Sequence, residues 1–201
     1  MNALNRLKQG YQIFSQSPNK KLEVLLDDKM IAQLEAGQNP YAIIISCSDS
    51  RIEPNLIFSS GLSQLFVIRT AGNIVDKIVL GSVEYAILEL KVPLIVVLGH
   101  EKCGAVKASL ESFETRSIPN NFEACLINSI QPAVRTAFCN IQDSDNSQIN
   151  LLNQSIKENI KLNMCNLLKS QVIKDAYENK ELLIVGAKYS SNGNLEFLNN
   201  L

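Results

Sequence analysis

Residues 41–51 read YAIIISCSDSR, an apolar run that ends abruptly in polar and charged side chains. The run is rich in β-branched residues and continuous rather than alternating, which is typical of a strand covered by helices on both faces. Three further runs of this kind follow at residues 65–70, 94–99 and 182–187. The helical segments between these runs predict an α/β fold on a mostly parallel four-stranded sheet flanked by helices.

Helices and a terminal hairpin complete this prediction. Residues 77–91 are apolar almost all round, which predicts a buried helix. A row at spacing i, i+4 predicts an amphipathic helix, and its members are Leu152, Ile156, Ile160, Met164 and Leu168. Asn192-Gly193 favours a tight turn, so the tail can add a fifth edge strand.

The first 36 residues predict a helical arm. Its main helix is indicated by apolar residues at spacings of three and four, namely Leu22, Leu25, Leu26, Met30 and Leu34. Residues 1–18 have a weaker periodic pattern with little local partner, so we expect this part to dock elsewhere, including on another subunit. Residues 1–201 are predicted to form one domain, with the arm at 1–36 and an α/β core at 37–201.

Composition excludes several classes of function. The 201 residues carry 19 basic and 20 acidic side chains, and this balance argues against nucleic acid or a membrane surface as a partner. No apolar run is long enough to span a bilayer, and residues 1–10 have no signal core. Five cysteines, an odd number, argue against a disulfide framework. Together these features predict a cytoplasmic protein.

Two polar clusters follow the first and third runs, at residues 46–51 and 99–105. Carboxyl ends of neighbouring parallel strands meet at one edge of a sheet, so Cys47, His100 and Cys103 should converge if these two strands are neighbours. Two thiolates and one imidazole with an open fourth position match a catalytic zinc site. The zinc would lower the pKa of a bound water towards neutrality and supply a hydroxide nucleophile. His100 is the only histidine of the chain.

Asp49 and Arg51 lie on the same turn as Cys47. A carboxylate beside a guanidinium can form a charge-assisted pair, which would hold Asp49 ready to orient the zinc-bound hydroxide. Asp49 could instead ligate the metal and close the site. The residues alone leave both arrangements open.

The double motif Cys-Ser-Asp-Ser-Arg at 47–51 and Gly-His-Glu-Lys-Cys-Gly at 99–104 resembles the β-class carbonic anhydrases. The resemblance runs from about residue 20 to residue 198. It implies a zinc lyase for the reversible hydration of carbon dioxide to bicarbonate. It also implies a homodimer that can pair into a homotetramer, with the N-terminal arm crossing onto the neighbour.

The same resemblance implies roles for individual residues. Zinc is implied on Cys47, His100 and Cys103, beside the dyad of Asp49 and Arg51. A substrate pocket is implied at Gln38, Phe66, Ala71, Tyr85 and Gly104. Members inhibited by bicarbonate carry a tryptophan at the position of Ile44, although Arg69 and Tyr189 match the two other residues of that regulatory trio.

The same residues bear on other functions. A phosphatase using Cys47 as nucleophile needs an arginine six positions later, where this chain has Glu53. A zinc protein without turnover, and a related enzyme acting on carbonyl sulfide or carbon disulfide, both stay open. Three further cysteines lie in helical stretches without a nearby histidine and are predicted to be core residues, namely Cys125, Cys139 and Cys165.

Overall fold

The computed structural model describes residues 2–17, 28–121, 123–140 and 147–198. Its sheet has five strands in the spatial order β2-β1-β3-β4-β5. The strands are β1 (Ala42–Cys47), β2 (Leu65–Thr70), β3 (Leu94–His100), β4 (Leu183–Tyr189) and β5 (Leu195–Phe197). The first four are parallel and β5 is antiparallel to β4. The predicted sheet is therefore confirmed, together with its fifth edge strand.

The register of the central strands decides where their polar ends lie. β1 pairs with β2 on one side and with β3 on the other, so that Ser46 lies opposite Leu98. The condition for convergence of the site residues, that β1 and β3 are neighbours, is thus met. Strand β5 forms one lateral edge of the sheet. The turn that leads into it from β4 contains Gly193 at a φ of 89°, a left-handed conformation that favours glycine.

Helices cover both faces of the sheet. They are α1 (Ala3–Gln16), α2 (Asp28–Glu35), α3 (Pro54–Ile57), α4 (Lys77–Leu88), α5 (Gly104–Thr115), α6 (Glu123–Asn140), α7 (Gln148–Leu167) and α8 (Gln171–Glu178). Ile43, Ile45 and Cys47 pack towards α4, α5 and α7, whereas Ala42 and Ile44 pack towards α1 and α3. Within the described ranges, no helix combines the length and apolar character needed to cross a bilayer.

The arm helix α1 docks on the sheet of its own chain. Leu7 and Phe14 are buried there, and the Phe14 ring lies 6.4 Å from the ring of Tyr189. A side chain at Gly10 would overlap the Phe58 carbonyl, so the absence of a Cβ permits this approach. The expectation that this part of the arm lacks a local partner is therefore wrong. Leu22, Leu25 and Leu26 of the predicted second helix lie outside the described residues, and α2 begins at Asp28.

Tyr11 joins α1 to the far end of the chain. Its hydroxyl donates to the Gly193 carbonyl at 3.1 Å and accepts from the Leu195 N–H at 3.0 Å. Both contacts lie in the β4–β5 hairpin, so the first helix and the last described strand are held together.

Two predictions about apolar surfaces are wrong. Helix α4 buries only one face, while Ile78 on its outer face is 79% exposed and Tyr85 and Leu88 are about half exposed. The three cysteines predicted as core are all exposed, namely Cys125, Cys139 and Cys165. Residue type indicates which side chains prefer burial, but the sequence around them does not show which helix face meets a neighbour.

Candidate metal centre

Three buried side chains with metal-ligating atoms meet at the carboxyl edge of the sheet. Cys47 ends β1, His100 ends β3, and Cys103 directly precedes α5. Their ligand atoms all lie within 4.8 Å of one another, and the two sulfurs are 3.9 Å apart. A tetrahedral zinc with thiolates at about 2.3 Å separates two sulfurs by about 3.8 Å, so the spacing fits such an ion.

His100 is held in one tautomer by its neighbour. Its Nδ1 lies 2.9 Å from the Glu101 carbonyl oxygen, which can only accept, so Nδ1 carries the proton. The other nitrogen, Nε2, is buried and has no hydrogen-bond partner among the described residues. A metal ion would take up this free lone pair, and the Nδ1 contact is the usual way to orient a ligating imidazole.

The two thiols influence each other's protonation. A hydrogen bond from Cys103 lowers the pKa of the Cys47 thiol, and the Gly72 N–H also donates to the Cys47 sulfur at 3.4 Å. The pKa of Cys103 is raised by its contact with Cys47 and by burial. One proton therefore stays on the buried pair unless a cation compensates both charges, which is the role of a metal ion.

A clamped carboxylate stands beside the three ligands. Arg51 donates from Nε to Asp49 Oδ1 at 2.8 Å and from Nη2 to Asp49 Oδ2 at 2.7 Å. These hydrogen bonds hold the pKa of the Asp49 carboxyl well below its usual range. Asp49 Oδ2 lies 3.9 Å from His100 Nε2, so the carboxylate borders the ligand group while it is paired with Arg51.

Arg69 supports the same turn from β2. Its Nε donates to the Cys47 carbonyl at 3.2 Å, and its Nη2 donates to the Asp49 carbonyl at 2.8 Å. Sequence reasoning treated Arg69 only as part of a regulatory trio and missed these backbone contacts. An arginine directly opposite the cysteine turn on a neighbouring strand is visible only once the register is known.

Glu101 is partly exposed to solvent and is also hydrogen-bonded to Ser191 near the end of the chain. Its carboxylate accepts from the Ser191 N–H at 2.8 Å and from the Ser191 hydroxyl. The contact links the turn that carries His100 to the β4–β5 hairpin. A cavity of about 260 Å³ opens at this point, and it is lined by Arg51, Ile52, His100, Glu101, Tyr189 and Ser191.

The predicted substrate residues do not all lie together in this chain. Phe66 and Tyr85 lie together, with ring centroids 6.4 Å apart. Ala71 begins the turn that carries the Gly72 N–H, and Gly104 is the first residue of α5. Gln38 is exposed between α2 and β1, and in the described part of the chain no hydrogen bond joins it to the other predicted site residues.

Comparisons with known proteins point to one family. The family model described as "Carbonic anhydrase" matches residues 42–194. A carbonic anhydrase of Mycolicibacterium smegmatis is 46% identical over 103 residues, which cover 51% of this chain and 50% of that protein. Carbonic anhydrase 2 of Mycobacterium tuberculosis is 42% identical over 132 residues, which cover 66% of this chain and 63% of that protein. The matched region thus spans between half and about two thirds of these curated relatives.

A solved structure of a β-carbonic anhydrase has a fold similar to that of this chain. The β-carbonic anhydrase CcaA superposes with a TM-score of 0.78 at 28% identity, covering 98% of this chain and 95% of that one. The similarity therefore includes the helical arm as well as the sheet.

Proposed function

The chain belongs to the β-class carbonic anhydrases, and on that premise we propose that it catalyses the reversible hydration of carbon dioxide to bicarbonate and a proton. The observation that carries the proposal is the convergence of Cys47, His100 and Cys103 within 4.8 Å, beside a carboxylate held by Arg51. Buried side chains of metal-ligating types and a carboxylate held by an arginine thus occur together at the carboxyl ends of the strands.

Zinc is the proposed metal, held by the two sulfurs and by His100 Nε2. The residues fit it, because two thiols and an unpartnered imidazole nitrogen are the soft and borderline ligands that zinc selects. When bound, zinc supplies Lewis acidity that lowers the pKa of a coordinated water towards neutrality. The Glu101 carbonyl contributes by keeping the proton on His100 Nδ1, which leaves Nε2 free to ligate.

Asp49 is proposed to act as a hydrogen-bond acceptor beside the metal ligands. Its carboxyl is ionised at neutral pH because Arg51 stabilises the charged form. The same guanidinium donates to the Lys102 carbonyl at 3.3 Å, so it ties the Asp49 turn to the turn that carries Cys103. Asp49 can thus hold a reacting water in a fixed orientation without leaving Arg51.

The proton released by the reaction has no internal imidazole to accept it. His100 is the only histidine of the chain and its Nδ1 proton is engaged by the Glu101 carbonyl. We therefore propose that external buffer, or carboxyl and hydroxyl groups reached through water, carries the proton away. The hydration rate at saturating carbon dioxide should rise with the concentration of an imidazole-type buffer at constant pH and ionic strength.

A homodimer is proposed from the surface around β2 and α4, and its pairing into a homotetramer is proposed only from the resemblance to the β-class carbonic anhydrases. In the described part of the chain β2 pairs on one side only, and Ile78, Tyr85 and Leu88 expose apolar surface beside it. A second copy would cover this surface and could bring its Gln38 to the pocket proposed at Phe66, Ala71, Tyr85 and Gly104. Sedimentation should show at least a dimer, and Ile78→Lys should weaken it while Ile149→Lys, also at an exposed position, should not. An active monomer at assay concentration would contradict this.

The central experiment combines metal content with turnover. Stopped-flow hydration of carbon dioxide, followed with a pH indicator, is measured on the purified protein, after zinc removal by a chelator, and after zinc is restored. We expect about one zinc per chain, loss of activity on removal and recovery on restoration. A protein with full zinc and no hydration above the buffer background would instead be a zinc protein without this turnover.

A further inference from the structure

The turn at residues 71–75 passes directly behind Cys47. Gly72 has a φ of 69° and Asn73 a φ of 47°, so two successive residues adopt the left-handed conformation. For Asn73 this costs about 1 kcal/mol. A Cβ at Gly72 would lie 2.8 Å from the Ile130 Cδ1 atom, so the backbone is also tightly enclosed. The turn therefore needs contacts that hold it in this shape, with its Gly72 N–H aimed at the Cys47 sulfur.

Two buried amides of α7 provide such contacts. Asn159 Nδ2 donates to the Gly72 carbonyl at 2.8 Å, and Asn163 Oδ1 accepts from the Val75 N–H at 2.8 Å. Both asparagines are only 1% exposed. Because the Gly72 oxygen can only accept and the Val75 N–H can only donate, the orientation of each amide is fixed.

The two amides also satisfy each other. Asn163 Nδ2 donates to Asn159 Oδ1 at 3.1 Å and to the Asn159 carbonyl at 2.9 Å. Their neighbours on the helix, Ile156, Ile160 and Met164, belong to the apolar core. An amide in such surroundings is costly unless its hydrogen bonds are made, and apolar side chains would fill the space without that cost. Beyond packing, this pair contributes the hydrogen bonds that hold the 71–75 turn in place.

We infer that Asn159 and Asn163 are positioning residues of the metal site, which act through the 71–75 turn to keep the Gly72 N–H on the Cys47 sulfur. The inference rests on the proposed zinc ligation by Cys47. A hydrogen bond to a thiolate restrains its position and withdraws electron density from it. Outer-shell contacts of this kind typically alter metal affinity by about 10–100-fold.

The test uses Asn159→Asp, which keeps the shape of the side chain but places an oxygen against the Gly72 carbonyl. The matched control is Asn150→Asp, with the same change of charge at an exposed position in the first turn of the same helix. Zinc release to an excess of chelator is timed for both. The thiolate-to-cobalt charge-transfer band of the cobalt-substituted proteins is recorded, and urea unfolding monitors the fold.

Asn159→Asp should release zinc at least about 10-fold faster and shift the charge-transfer band to lower energy, because Cys47 becomes a stronger electron donor. Asn150→Asp should match the native protein in both measurements. A folded Asn159→Asp protein with native zinc release and a native band, even if less stable in urea, would overturn the inference and leave a structural role only. A native protein that holds no zinc would overturn the proposed function as well.

A second variant covers the case in which Asn159→Asp does not fold. The Thr70 hydroxyl donates to the Ile74 carbonyl at 2.9 Å and so secures the same turn from the side of β2. Thr70→Val removes this hydrogen bond without changing the shape of the side chain. It should shift zinc release and the cobalt band in the same direction by a smaller amount, and native behaviour of this variant would overturn the inference.

Discussion

The two ends of the parallel sheet differ in a way that cavity size does not reveal. At the amino end, between α1, α8 and the starts of β3 and β4, lies a cavity of about 750 Å³. At the carboxyl end the cavity beside His100 measures only about 260 Å³. Nevertheless, the group of metal-ligating side chains found among the described residues lies at the carboxyl end.

The backbone explains this difference. Parallel strands direct all their carboxyl ends to one edge, and the helix that follows β3 presents its first N–H groups there. Contact with Cys47 and burial raise the pKa of the Cys103 thiol, and the backbone N–H groups of Val106 and Ala105 offset part of this rise. Among the described residues, the amino end has a larger cavity but no such group of metal-ligating side chains. Substitutions at the two ends should therefore separate activity from stability.

The largest effect is expected at the carboxyl end for Cys103→Ser. Loss of one thiolate from the proposed three-ligand set should reduce bound zinc from about one per chain to nearly none and abolish hydration. Elemental analysis and stopped-flow assays measure the two losses. Cys165→Ser, at an exposed cysteine outside the site, is the control and should behave like the native protein. About one zinc per chain in the Cys103→Ser protein would contradict the assignment of Cys103 as a metal ligand.

At the amino end, Leu94→Ala should affect stability and spare catalysis. Leu94 begins β3, is fully buried and borders the larger cavity. Its truncation should lower the free energy of unfolding by about 2–5 kcal/mol, because apolar contacts are lost and a cavity remains. Urea unfolding measures this loss, while kcat/KM of the folded fraction should stay within about twofold of native. A large fall in kcat/KM would break the comparison.

Asp49→Ala tests the carboxyl end without removing a proposed metal ligand. Activity should fall by about 100-fold, the scale of a misplaced reacting group. Arg51 holds the pKa of Asp49 well below its usual range, so the carboxylate is fully charged at both pH 7 and pH 9. The activity ratio of native to variant should therefore be equal at the two pH values. A variant that matches or exceeds the native rate at pH 7 would indicate that Asp49 closes the native site.

The smallest effect is expected for Glu181→Lys at the edge of the larger cavity. Glu181 is exposed there, so reversing its charge should change the free energy of unfolding by no more than about 0.5 kcal/mol. Hydration kinetics and zinc content should be unchanged. A marked change in kcat or KM would show that the amino-end cavity takes part in the reaction.

The sheet and the grouping of Cys47 with His100 could be predicted from the sequence for the same reason. Continuous apolar runs identify buried parallel strands, and Cys47 and His100 stand where two of those runs end. The local pattern could not show that α1 docks on its own sheet, since Leu7 and Phe14 meet Phe58 and Tyr189 only after the chain has folded. Contacts between residues so far apart in the sequence depend on the tertiary structure, which a local pattern does not show.

The polar support of the site was harder to predict. Asn159 and Asn163 lie one residue before Ile160 and Met164 in the buried row of α7, where a periodicity argument counts only apolar residues. Two asparagines at spacing i, i+4 beside such a row are the signal that could have shown them. The exposed Cys125 shows the opposite error, because a residue type that favours burial was assigned to the core without a neighbour to cover it.

The contact of Tyr11 with the β4–β5 hairpin has a consequence for synthesis on the ribosome. Its two hydrogen bonds join residues 182 and 184 positions apart. At about 5–20 residues per second, α1 leaves the ribosome roughly 10–40 s before its hairpin partner exists. During that interval the apolar side of the helix, with Leu7 and Phe14, is without its final packing.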